Sequence, residues 1–173
     1  MLVLLLSDTH GRLHPGIQNL AGKTDCVVHA GDIGHPDVLA SLAAGGRRVI
    51  AVLGNNDTPG TWPTSARQQL GHYDRVAELA LPGGRLVVEH GDRIKAAARR
   101  HERLRADHPG ARLILYGHSH RQIIDDANTP WVVNPGAAGR SRTYGGAGCV
   151  LLTACERRWQ LEAFQFPLSD WKT

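Results

Sequence analysis

Leu2-Val3-Leu4-Leu5-Leu6-Ser7-Asp8-Thr9-His10 is an apolar run that ends abruptly in a carboxylate and an imidazole. Five successive apolar residues running into a polar cluster read as a short strand. The pattern recurs down the chain. Cys26 to His29 leads into Gly31-Asp32, Val49 to Leu53 into Gly54-Asn55-Asn56-Asp57, Leu86 to Val88 into His90-Gly91, and Leu113 to Tyr116 into Gly117-His118-Ser119-His120. These endings bring metal-seeking side chains to the carboxyl ends of strands, where open α/β sheets bind ligands. Carboxylate, amide and imidazole donors together suit two metal ions sharing one site.

Outward from these runs, the first half alternates strand (2–6, 25–29, 48–53) with helix (15–21, 36–44), the βαβ rhythm of a mostly parallel sheet. Residues 58–72, rich in Pro, Gly and Thr, read as a loop and short helix walling the site. The second half is strand-rich, with runs at 75–81, 85–90, 112–116, 121–125, 131–134, 147–153 and 159–166, and one helix at 95–107. Pro82-Gly83-Gly84 and Cys155 to Arg158 are hairpin turns. A second sheet packed on the first is the expectation.

At 173 residues the chain fits a single domain, 1–173, large enough for a core without staples. Cys26, Cys149 and Cys155 lie in or beside apolar runs and read as reduced core thiols of a cytoplasmic protein. The apolar start lacks the basic lead-in of a signal peptide and runs straight into Asp8, and no run approaches the ~20 residues of a membrane span. A net charge of +4 and a pI near 9.3 favour anionic substrates. Much of the excess sits in Arg99, Arg100, Arg103 and Arg105, read as the solvated face of an amphipathic helix. No aromatic residues interleave with these arginines, so no stable nucleic-acid partner is expected.

The order D-x-H, G-D, G-N-x-D, H-G, G-H-x-H, followed by Asn134-Pro135-Gly136, resembles the calcineurin-like metallophosphoesterases over residues 2–142, in particular their small bacterial and archaeal phosphodiesterase branch. The resemblance implies an α/β (α+β) fold, a double mixed β-sheet sandwich flanked by helices in four αββα layers. It implies that Asp8, His10, Asp32 and His120 hold a first divalent ion, and Asp32, Asn55, His90 and His118 a second, with Asp32 bridging. Manganese is the metal favoured on family grounds; iron, nickel, cobalt and zinc remain open. Asp32, Asn55, Asn56 and His118 are the candidate catalytic residues, in a hydrolysis by metal-activated hydroxide without a phosphoenzyme. The expected substrate is a phosphodiester, nucleotide-like or otherwise small. The alternatives are a nucleotide phosphatase or pyrophosphatase, and a non-catalytic scaffold module of the same fold. Homo-oligomerisation is left open.

From the residues alone, Asp8-x-His10 and His118-x-His120 place both side chains of each pair on one side of an extended segment. His29 reads as a core histidine or a support for the site. Asp57 either orients a ligand histidine or makes a turn. His14, His35, His72, His101 and His108 read as surface residues.

Three departures from the family pattern carry information. Many relatives have a histidine after the ligand asparagine; here it is Asn56, an amide that donates hydrogen bonds but is no acid near neutral pH. That favours esters whose leaving group needs little protonation. Asp92 stands where relatives often have histidine, and reads as a cap for a helix beginning near Ile94. Gly31-Asp32-Ile33-Gly34-His35 lacks the Asp-Arg-Gly continuation of phosphoprotein and symmetric dinucleoside phosphatases. Arg142 reads equally as a phosphate contact and as a solvent-exposed side chain.

Overall fold

The computed structural model describes residues 1–171. Its strands are β1 (Leu2–Leu6), β2 (Cys26–His29), β3 (Arg48–Ala51), β4 (Val76–Leu81), β5 (Gly84–Glu89), β6 (Leu113–Leu115), β7 (Gln122–Asp125), β8 (Trp131–Pro135), β9 (Ala147–Ala154) and β10 (Trp159–Phe166). The α-helices are α1 (Pro15–Ala21), α2 (Pro36–Leu42) and α3 (Arg100–Asp107). One sheet has the order β10-β9-β1-β2-β3 and the other β4-β5-β6-β8-β7.

Alternation along β1 builds the layers. Val3 and Leu5 point between the sheets, where they join Cys26, Val28, Leu86, Val88, Leu113, Leu115 and Val133. Leu4 and Leu6 point the other way, into a cluster with Ile17, Val38, Leu39, Leu42 and Trp62 under α1, α2 and the 58–72 segment. On the far side, Val87, Ile114 and Val132 pack with Leu104 of α3. The order of layers is therefore αββα, as a period of two in strands requires when both faces are covered. Proline opens α1 and α2, and the preceding histidines, His14 and His35, cap them by accepting from Gly16 N and Asp37 N.

The structure corrects several expectations. β9 and β10 belong to the first sheet and do not extend the second; β9 pairs antiparallel with β1, setting Leu2 opposite Thr153, so both sheets are mixed, as the family resemblance implied. A β-branched, apolar run declares a strand but not its partner, because pairing is decided by long-range packing. Residues 58–72 do form the expected loop and short helix, the helix being the nine-residue 3₁₀ helix Thr64–His72. The helix expected from 95 begins as a 3₁₀ turn at Ala97–Arg99 and becomes α-helical only at Arg100. Asp92 caps nothing and instead faces Arg75 at 3.6 Å.

The arginines of that helix are not all solvated. Arg100 is buried, and Arg105 is tied to Asp125 Oδ1 at 2.8 Å and to the Pro130 carbonyl. His14 is buried, and His101 and His108 are half-buried, each against a carboxylate. Cys155 is exposed, whereas Cys26 and Cys149 are buried, and burial pushes the Cys149 thiol up to about 12.

Candidate metal centre

The loops after β1, β2, β3, β5 and β6 meet at one end of the two sheets. Asp8 N donates to Gly31 O at 3.0 Å and His10 N to Asp32 O at 2.9 Å, lacing the first two loops together. The loop after β6 joins them through His118 N, which donates to both carboxylate oxygens of Asp8 at 3.1 and 3.2 Å.

Backbone conformation marks the same residues. Among the described residues, the non-glycine positions with positive φ are Asp8 (54°), His10 (47°), Asp32 (54°), His118 (66°), His120 (58°) and Arg142 (52°). The left-handed region disfavours L side chains, and residues held there concentrate at functional sites. Five of these six are residues proposed from the sequence as metal ligands. The extended geometry expected for Asp8-x-His10 and His118-x-His120 is thereby corrected: the side chains converge because the backbone curls left-handed at both positions of each pair.

One group of donors is tight. One ligand atom from each of Asp8, His10, Asp32 and His120 lies within 4.8 Å of all the others. His10 Nε2 and His120 Nε2 stand 3.2 Å apart, and His120 Nε2 is 3.3 Å from Asp8 Oδ1. Asp32 connects to a second group: its Oδ2 is 3.8 Å from His10 Nε2 and 3.3 Å from His90 Nε2. Next to His90, His118 Nδ1 and Asn55 Oδ1 are 3.0 Å apart. Two ligand atoms each about 2.1 Å from a common ion are separated by roughly such distances. All seven residues named from the sequence are therefore brought to one place.

The chemistry of the donors fits divalent metal binding. His90 donates Nδ1–H to Ala30 O at 2.8 Å, which turns Nε2, buried and without a hydrogen-bond partner, towards Asp32. His120 likewise donates Nδ1–H to Ser141 O at 2.7 Å and turns Nε2 inward. A carbonyl behind the imidazole fixes the ligating tautomer. Burial opposes charge on His90, but the adjoining Asp32 and Asp8 carboxylates and the Ala30 carbonyl outweigh it and raise His90 to about 9. Asp32 is also opposed by burial, yet His90 and the Asn56 donors hold its carboxyl well below the usual range.

Surrounding residues set this geometry. His29 accepts from Gly31 N through Nδ1 and donates Nε2–H to Thr9 Oγ1, whose hydroxyl donates to Ile33 O. Burial, against the pull of nearby carboxylates, lowers it to about 4, so it is a neutral core histidine that braces the first two loops. Asp57 touches no ligand histidine. It accepts from Ile33 N, Gly34 N, Gly54 N and Trp62 Nε1, clamping the Asp32 loop to the Asn55 loop. Asn56 donates from its backbone to Asp32 Oδ1 at 2.8 Å and from its amide to Oδ2 at 2.7 Å. Arg142 reaches the centre, with a guanidinium nitrogen 3.0 Å from His120 Nε2.

Two residues escaped the sequence reading as positioning groups. Asn134 Nδ2 donates to Gly117 O at 2.7 Å and to Ser119 Oγ, bracing the loop that carries His118 and His120. Ser7 donates to Asp8 Oδ2 at 2.7 Å. The Asn134-Pro135-Gly136 motif was the available signal for the first; a lone serine offered none for the second.

The family model of the calcineurin-like phosphoesterase superfamily domain matches residues 1–157. The chain belongs to that superfamily. As a calcineurin-like phosphoesterase it falls in a class of metal-dependent phosphoester hydrolases. It is 28% identical over 142 residues to a probable metallophosphoesterase of Methanocaldococcus jannaschii, covering 79% of this chain and 68% of the relative. Vps29 of Chaetomium thermophilum superposes with a TM-score of 0.77 at 16% identity, over 95% of this chain and 88% of that one. An archaeal phosphodiesterase superposes with a TM-score of 0.67 at 18% identity, over 95% and 100%. At these identities the solved structures establish the shared fold of this phosphoesterase. Among the described residues no helix is long and apolar enough to cross a membrane.

Proposed function

We propose that the protein is a dinuclear metal-dependent phosphodiesterase in which Asp8, His10, Asp32 and His120 hold one divalent ion and Asp32, Asn55, His90 and His118 the other. The observation that carries this reading is the convergence of these donors on left-handed backbone, with the buried Nε2 of His90 facing Asp32 and lacking a hydrogen-bond partner. Strain at five positions is sustained by the fold only where it sets a geometry of use. When bound, two divalent ions supply a nucleophilic water and neutralise charge on the phosphoryl oxygens. Oxygen and imidazole donors without thiolate agree with manganese.

The chain's own residues then divide the work. Asp32 is held by Asn56 at both oxygens, so its carboxylate stays ionised and fixed in orientation. Arg142 lies close enough to His120 to meet a phosphoryl oxygen as a charge-assisted donor. No acid occupies the Asn56 position, so the leaving group departs with little help. This favours diesters of acidic alcohols over unactivated monoesters. The archaeal phosphodiesterase of the same fold supports the diester assignment. Vps29, also of this fold, brings the scaffold alternative, and the full set of seven donors favours catalysis over it.

The test is hydrolysis of paired aryl phosphodiester and monoester substrates by metal-stripped protein, titrated with manganese and then other divalent ions, with Asp32→Asn as control. Diester turnover should require metal, exceed monoester turnover, and fall in Asp32→Asn by about a hundredfold or more, as the loss of a bridging ligand implies. Two tightly bound ions with no turnover of either ester would favour the scaffold.

A further inference from the structure

A cavity of about 570 Å³ opens beside the centre, between the start of α3 and the loop that carries His118 and His120. Its lining includes Arg100, His101, Tyr116, Ser119, Arg121 and Asp125. Ser119 lies between two of the proposed ligands in sequence, so a molecule held at the centre through its phosphate can extend a substituent into this space. The volume is that of a small-molecule site.

Hydrogen bonding decides which groups are left to receive a ligand. Asp125 is spent: its Oδ2 accepts from His101 Nδ1 at 2.7 Å and its Oδ1 pairs with Arg105 at 2.8 Å. His101 is spent as well, since its Nε2 faces the Tyr116 hydroxyl at 2.8 Å. The two remaining cations are not. Arg100 is only 8% exposed, lies over the Tyr116 ring at 5.9 Å, donates once to Ile94 O, and has a buried Nε with no partner. Arg121 lays its guanidinium over the Tyr144 ring at 4.3 Å, and among the described residues that guanidinium has no hydrogen-bond acceptor. A buried guanidinium with an unused donor costs free energy unless an anion meets it.

We infer that this cavity is a second anion subsite, and that the preferred phosphodiesters carry, on one substituent, a further phosphate that Arg100 and Arg121 bind. The sugar or nucleoside joining the two phosphates lies along Ala97 and Ile123, the apolar part of the wall. With the Asp125 charge paired by Arg105 and its other oxygen taken up by the hydrogen bond to His101, Arg100 and Arg121 leave the subsite cationic, which selects a substituent bearing a phosphate over a neutral one. The inference rests on the phosphodiesterase reading for its substrate, but its binding component stands apart from turnover.

The test has two arms. In the first, the manganese-loaded chain hydrolyses thymidine 5′-(p-nitrophenyl phosphate) and the same compound bearing a 3′-phosphate. The 3′-phosphorylated ester should be favoured in kcat/KM by about ten- to a hundredfold, the range of one or two charge-assisted hydrogen bonds. That ratio should collapse towards unity in Arg100→Gln and in Arg121→Gln. In the second, metal-free protein in chelator is titrated calorimetrically with thymidine 3′,5′-bisphosphate and thymidine 5′-monophosphate, and the bisphosphate should bind more tightly by about the same factor. Arg121 is exposed, so Arg121→Gln carries the test if Arg100→Gln fails to fold. Equal constants for both members of each pair in the unaltered chain overturn the inference. So does a preference that survives undiminished in both variants. A binding preference lost in the variants, with no turnover of either ester, supports the subsite while refuting the phosphodiesterase reading.

Discussion

Gly54 shows how closely the candidate centre is built at the level of single atoms. A Cβ placed there would collide with Asp32 Oδ1 and with the Asp32 backbone nitrogen. Gly117 is similar, its Cβ falling 2.8 Å from Asp8 Oδ2. Gly54→Ala should therefore push Asp32 out of line, costing about 1–3 kcal/mol as overpacking does. Metal titration of the variant by calorimetry should show weaker binding, with the fold retained by circular dichroism. Asn56 offers the opposite experiment. Asn56→His keeps the backbone donor to Asp32 and adds an acid near the phosphate, so monoester turnover should rise by about tenfold or more relative to diester turnover. A fall in both activities by the same factor would show that Asn56 matters only as a brace for Asp32. At this scale the sequence displayed residue types but not conformations. The left-handed φ at Asp8 and His10 follows from loop packing that no spacing of two encodes.

Among the elements, the 58–72 segment is fastened to the site through the Asp57 carboxylate and through the Asn56 carbonyl, which accepts from Thr58 N and Thr61 Oγ1. Asp57 takes three backbone N–H groups and the Trp62 indole, and Trp62 in turn fills the apolar layer over β1. Asp57→Ala would strand those donors in a buried setting, and a loss of about 3 kcal/mol in urea unfolding is expected. Metal affinity should fall about tenfold with it, since groups behind ligands typically carry that much. Unchanged affinity would separate the clamp from the centre. The positions of the strands were legible because apolar blocks such as Leu2 to Leu6, bounded by turn residues and ligands, leave few alternatives. α3 was legible only in part. Ala96, Ala97 and Ala98 favour a helix, yet the chain delays it to Arg100, whose guanidinium is drawn into the interior instead of solvent.

Across the whole molecule, buried ionisable groups tie stability and metal loading to pH. His29 is lowered to about 4 by burial, below the ordinary value of 6.5 that it regains on unfolding. The unfolded chain then takes up a proton that the folded chain refuses, so stability falls as pH drops from about 6.5 towards 4, by up to about 3 kcal/mol. Urea unfolding of the metal-free protein across that window should show the decline, and a substitution of His29 that stays folded should flatten it. His90 behaves in the opposite sense. It is raised to about 9 in the metal-free protein, so an ion must displace its proton, and affinity should climb with pH up to about 9, with proton release measurable in buffers of different ionisation enthalpy. A second sheet packed on the first was readable from the strand-rich second half, and the four αββα layers came with the family resemblance; the return of β9 and β10 to the first sheet was not readable, because it depends on partners far apart in the chain.

That return has a bearing on how the polypeptide is made. On the ribosome β1 emerges early, yet the neighbour that covers its open side, β9, follows only with residues 147–154. Until then the growing chain carries an apolar strand edge with unpaired backbone groups, the kind of surface that recruits other nascent chains. The donors at Asp8, His10, Asp32 and Asn55 are synthesised well before His118 and His120, so early metal capture would fall on an incomplete set. The interval of risk for aggregation or mismetallation therefore precedes residues 147–154, and closes when β9 zips onto β1.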